Sequence, residues 1–131
     1  MTLLVAYVPR PEGQAALDKG MEIAQRRGEA LLVVNAGPGG HKEDASVADA
    51  LEMERLQKLL AASGLSFELK QFERGRSAAQ EVEALVETLP ISLVVIGLRK
   101  RSPVGKLLLG SVAQEILLNV PCPVLAVKAA G

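Results

Sequence analysis

The chain reads as an α/β protein, a three-layer α/β/α sandwich in which a five-stranded, mostly parallel sheet lies between helices. Three observations predict this. Short apolar, β-branched runs recur at Leu3 to Val8, Ala30 to Val34 and Leu93 to Ile96, the signature of strands buried on both faces. Segments with apolar residues at helical spacing stand between the strands. The order along the chain is strand, helix, strand, helix, strand, helix, strand, helix, strand, which a parallel sheet with right-handed crossovers accommodates. No linker, repeat or low-complexity tract interrupts the 131 residues, so a single domain over 1–131 is expected.

Pro9, Arg10 and Pro11 end the first strand. From Gly13 to Arg27, Leu17, Met21 and Ala24 fall on one helix face, and Gly28 is placed as the C-cap. The second strand runs into Asn35 and a glycine cluster, Gly37 to Gly40, then His41. A second helix is expected over 45–62, with Val47, Leu51, Met53, Leu56, Leu59 and Leu60 as its apolar positions. Leu65 to Glu73 alternates Phe67, Leu69 and Phe72 with polar neighbours, a strand with one wetter face. Ser77 and Gln80 have capping-box spacing, and the helix they start keeps its register through Ala78, Val82, Leu85 and Val86 until Pro90. A last helix over Ser111 to Asn119 precedes Pro121-Cys122-Pro123 and a final strand, Val124 to Lys128.

Composition narrows the function. Hydrophobic content of 49% with a formal net charge of +0 gives no electrostatic reason to expect nucleic acid or an anionic membrane as partner. The aromatic residues Tyr7, Phe67 and Phe72 cannot build a base-stacking platform. One cysteine, Cys122, forbids an internal disulfide and suits a reducing compartment. Nothing approaches the length of a membrane span, and Met1 to Val8 lacks the basic start and cleavage pattern of a signal peptide, so a cytoplasmic protein is expected.

The informative stretch is Ile91 to Ser111. It opens as the buried strand, is read as stopping at Gly97, and passes through a basic loop with Arg99, Lys100, Arg101 and Lys106 to Gly110-Ser111 at a helix start. A strand end and a helix N-terminus, whose N–H groups lack intrahelical partners, can together hold an anion. Ser111 stands three residues before Gln114, so it also has the spacing of a capping box. Gly105-Lys106 is not a P-loop, because Lys100 and Leu107 occupy the positions that motif reserves for Gly and for Ser or Thr.

The series Gly97-Leu98-Arg99-Lys100, nine residues, then Gly110-Ser111, with the ending Val120-Pro121-Cys122-Pro123-Val124-Leu125-Ala126-Val127, resembles the universal stress protein family. That resemblance implies a Rossmann-like sandwich of the adenine nucleotide alpha hydrolase type, a homodimer joined through the last strand, Val124 to Val127, and in some members bound ATP or AMP, with or without Mg2+. Carried onto this chain, the nucleotide positions are Val8 and Val34 at the ends of strands one and two, Gly97, Arg99 and Lys100, and Gly110, Ser111 and Val112. Two positions depart from the family pattern. Lys100 replaces its second glycine, adding a Cβ and a cation, and Val8 replaces an aspartate that contacts the ribose side.

Other side chains offer less. His41 has no partner for a metal set or a Ser/His/Asp constellation, and Cys122 between prolines has nothing beside it to lower its pKa. Glu52, Glu54, Glu81, Glu83, Glu87 and Glu115 are expected mostly on outer faces of helices, in solvated roles, so efficient catalysis is not indicated. The leading expectation is an adenine-nucleotide-binding protein that signals stress by occupancy. The alternative is a dimeric interaction module of the same family with a degenerate pocket. A nucleotide-fold ligase is opposed by Pro9-Arg10-Pro11, where such enzymes carry a Ser-Gly-Gly-x-Asp type loop.

Overall fold

Strand β1 (Thr2–Tyr7) takes the centre of the sheet because Leu3 to Tyr7 are all apolar enough to be buried on both faces. The structure, a computed structural model, describes residues 1–35, 50–71, 77–101, 106–108 and 110–129, with 100, 101 and 106–108 described as backbone. The remaining elements, in chain order, are helix α1 (Pro11–Arg27), β2 (Ala30–Asn35), α2 (Ala50–Ala62), β3 (Phe67–Gln71), α3 (Ala78–Thr88), β4 (Ile91–Arg101), β5 (Lys106–Leu108), α4 (Ser111–Asn119) and β6 (Val124–Lys128). Five strands are parallel in the order β3-β2-β1-β4-β6, with Leu3 opposite both Leu31 of β2 and Leu93 of β4. The predicted fold class holds.

Strand periodicity splits the core in two. Leu4, Ala6, Leu32, Val34, Val94 and Ile96 pack against Ala78, Ala79 and Val82 of α3 and Ile116 of α4. The alternate positions, Leu3, Val5, Tyr7, Leu31, Val33 and Val95, pack against Ala16, Leu17 and Ala24 of α1 and Leu56 and Leu60 of α2. Each fully buried Leu or Val adds roughly 1.5–3 kcal/mol of hydrophobic stabilisation.

The local signals act as their chemistry predicts at two helix ends. Gly28 ends α1 in the left-handed region (φ 64°), where its N–H donates to the Ala24 carbonyl. The Gln80 N–H donates to Ser77 Oγ at 3.2 Å and the Ser77 N–H donates to Gln80 Oε1 at 3.0 Å, completing the capping box of α3.

Four expectations are corrected. The fourth strand does not stop at Gly97. It continues to Arg101 and pairs antiparallel with β5, Arg99 opposite Leu108 and Arg101 opposite Lys106, so the basic segment is one arm of a hairpin whose backbone groups find ladder partners. This short ribbon brings the strands among the described residues to six. Ser111 is not a capping-box residue: Gly110 is the N-cap of α4, Ser111 the first helical residue, and the Gln114 N–H donates to the Gly110 carbonyl at 2.9 Å. Leu51 is 77% exposed and takes no part in the core. Glu52 is not on a solvated outer face, because the Tyr7 hydroxyl donates to it. Positions 45–49, Phe72, Gly37 to Gly40 and His41 lie outside the described residues.

Candidate functional site

The carboxyl ends of β1 and β4 lie side by side where the chain order reverses, β2 and β3 extending the sheet one way and β4 and β6 the other. Such a switch point opens a crevice between loops that diverge to opposite faces. Here it is a cleft of about 260 Å3, just below the usual size range of small-molecule sites. Ala6 and Val8 line it from β1 and its end, Arg10 and Glu12 from the start of α1, Ile96, Gly97 and Arg99 from β4, and Gly110 to Ala113 from the start of α4, with Ile116 at its floor.

Two close approaches fix this shape. A Cβ on Gly97 would lie 2.2 Å from the Glu12 carbonyl oxygen, and one on Gly13 would lie 1.8 Å from the Val8 carbonyl oxygen. The two glycines therefore let α1 begin directly over the ends of β1 and β4. The Arg10 N–H donates to the Val8 carbonyl at 2.8 Å, turning the chain sharply into Pro11 at the helix start. Gly110 differs. A Cβ there would meet nothing within 4 Å, and its φ of −63° suits any residue, so neither space nor backbone within the described residues requires glycine.

The cleft carries both signs of charge. The Glu12 side chain, only 9% exposed, has its Oε2 3.9 Å from Arg10 Nη1 and 4.0 Å from Arg99 Nε. Across from them α4 begins. The N–H groups of Ser111, Val112 and Ala113 precede its first intrahelical bond and have no acceptor in the helix. The α4 end of the cleft therefore suits an anion.

Six of the eight predicted positions line this one cleft: Val8, Gly97, Arg99, Gly110, Ser111 and Val112. Val34 does not, being fully buried in the core against α3 and α4. Lys100 follows Arg99 on β4, opposite Leu107, and its side chain lies outside the described residues. Arg10 and Glu12 were not anticipated. Pro11 at the helix start places Glu12 in the first turn, where an acidic side chain suits the dipole, and that was the available signal.

A second polar cluster occupies the same end of the sheet on the opposite face. The Tyr7 hydroxyl donates to Glu52, which also accepts from Arg55 Nε at 2.9 Å and Nη2 at 2.8 Å, and Arg55 Nη2 reaches Gln14 Oε1 at 2.9 Å. Burial, aided by the Glu52 carboxylate, pushes the Tyr7 hydroxyl up to about 12, and Arg55 holds the Glu52 carboxyl below its ordinary value. Gln71 Nε2 donates to Asn35 Oδ1 at 3.0 Å and Asn35 Nδ2 to the Tyr7 carbonyl at 3.1 Å, joining the ends of β3, β2 and β1. Burial pushes the Cys122 thiol up, which does not favour a nucleophile. Among the described residues no group of three His, Cys, Asp or Glu could hold a metal, and no helix is long and apolar enough to cross a membrane.

Comparison with known proteins agrees with this architecture. The model of the universal stress protein family matches residues 1–128. A universal stress protein of Mycolicibacterium smegmatis is 45% identical over 129 residues, 98% of each chain. A universal stress protein structure from Archaeoglobus fulgidus superposes with a TM-score of 0.77 at 26% identity over 97% of both chains. Another from the same organism, in complex with dAMP, has a TM-score of 0.70 at 20% identity, covering 97% of this chain and 96% of its own.

Proposed function

This chain belongs to the universal stress protein family, and we propose that it binds an adenine nucleotide, AMP or ATP with or without Mg2+, in the cleft between β1 and β4 and acts in stress response through occupancy rather than turnover. The observation that carries this reading is the convergence of the Gly97 strand, Arg99 and the Gly110-Ser111-Val112 helix start on one crevice at the switch point. Phosphate would rest on the amides at the start of α4 that have no acceptor within the helix, where the helix dipole contributes roughly 0.3–1 kcal/mol to a negative charge. The Ser111 hydroxyl, not engaged as a cap, and the guanidinium of Arg99, whose side chain is 54% exposed, supply donors beside it. Val34 would contribute through its backbone only, since its side chain is core. The family supports this choice of ligand: structures of similar fold are in complex with dAMP or cAMP, or have AMP bound.

The protein is taken to work as one domain in the cytoplasm and as a homodimer through the free edge of β6, which among the described residues pairs only with β4. The competing reading, an interaction module whose cleft has lost its ligand, draws on Val8, a cleft-lining residue whose side chain has no acceptor. Calorimetric titration with AMP and ATP separates the two, with release of co-purified adenine nucleotide on denaturation as a direct check. Gly110→Leu is the decisive variant. A Cβ at Gly110 meets nothing within 4 Å among the described residues and Gly110 lines the cleft, so binding should vanish while Tm stays within a few degrees of wild type. Unchanged nucleotide affinity in Gly110→Leu would count against the site.

A further inference from the structure

We infer that Glu12 makes the cleft discriminate among adenine nucleotides by their number of phosphate charges, favouring a monophosphate over a metal-free triphosphate. This rests on the nucleotide reading above and concerns a residue outside the positions that led to it. The Glu12 carboxylate is nine-tenths buried in the cleft, and Arg10 and Arg99 approach the same oxygen, Oε2, at 3.9 and 4.0 Å. These are ion-pair separations, longer than hydrogen bonds. Its backbone is seated against Gly97 of β4 with no room for a Cβ between them.

Two cations and one fixed anion therefore share the cleft that Ser111 and the start of α4 close from the other side. A phosphate drawn to Arg99 comes within several ångströms of the Glu12 carboxylate. The first phosphate is offset by the arginines and the helix amides. Each further charge meets a carboxylate that a partly water-excluded wall screens less than bulk solvent would. Magnesium on the triphosphate cancels two of those charges and should relax the discrimination.

The test titrates the full chain and Glu12→Gln, which preserves shape and removes charge, with AMP and ATP in magnesium-free buffer, then with phosphate and tripolyphosphate. Wild type should bind AMP more tightly than ATP, and Glu12→Gln should gain about tenfold for ATP and less for AMP. An unchanged ratio overturns the inference and leaves the nucleotide site standing. Weaker AMP binding in Glu12→Gln also overturns it and makes Glu12 an acceptor for ligand hydroxyls. If neither nucleotide binds either protein, the nucleotide reading fails by itself. The inorganic anions then decide the charge effect: a selective gain for tripolyphosphate in Glu12→Gln sustains it, and any other response overturns it. If Glu12→Gln does not fold, wild type alone is decisive, because magnesium should bring its ATP affinity up towards that of AMP, and no rise overturns the inference.

Discussion

Gly97 and Gly110 have the same residue type and opposite reasons for it. At Gly97 the missing Cβ admits the Glu12 backbone, so Gly97→Ala should destabilise the fold by more than about 2 kcal/mol, beyond ordinary overpacking because the obstacle is main chain. Denaturant unfolding measures this, and a loss below about 0.5 kcal/mol would mean α1 shifts freely off β4. At Gly110 there is open space, so the same kind of substitution should spare stability and act on ligand. Both glycines were legible in the sequence as a spaced pair, but not their different causes. The cause at Gly97 lies in Glu12, 85 positions earlier in the chain, and no local pattern connects them. Glu12 was missed for the same reason. It stands just before the helix expected from Gly13, and only the turn at Pro9-Arg10 and the helix start at Pro11 bring it into the cleft.

At the scale of elements, α2 is held less by its apolar stripe than its sequence suggests. Leu56 and Leu60 are buried, Leu51 is not, and the first turn is tied to β1 by the Tyr7–Glu52–Arg55 cluster. Tyr7→Phe should cost about 1–2 kcal/mol, since it removes two charge-assisted hydrogen bonds, the one the hydroxyl donates to Glu52 and the one it accepts from Arg55 Nη2 at 3.2 Å, and leaves Glu52 with Arg55. The cluster also predicts a pH effect. The folded Tyr7 hydroxyl titrates at about 12, above the unfolded value near 10. Its contribution is therefore fully present below pH 10 and is lost as pH rises to about 12, and Tyr7→Phe should flatten that part of the stability curve. Identical alkaline profiles for wild type and Tyr7→Phe would remove Tyr7 from the account. The hairpin of β4 and β5 belongs to this scale too. Arg99 to Arg101 read as a loop because a glycine precedes three charged residues, yet a strand accepts long charged side chains wherever a partner strand completes the ladder.

At the scale of the whole molecule, β6 leaves an edge that among the described residues pairs with no second strand, and nearby α4 exposes Leu118 at 73%. Unpaired apolar edges invite association. Sedimentation at micromolar concentration should give a particle of twice the 13.8 kDa chain mass, and a purely monomeric boundary would end the dimer proposal. What the sequence determined by itself was the alternation of elements, the parallel sheet, the caps at Gly28 and Ser77, and the spacing that brings Gly97 and Gly110 to one end of the sheet. These depend on hydrophobic period and backbone chemistry, which act over a few residues and are written locally. Tertiary structure alone decided that Gly97 abuts the Glu12 backbone and that Glu12 stands between two arginines. Each depends on which backbone from a distant part of the chain occupies the neighbouring space, and packing settles that only when all the layers are assembled.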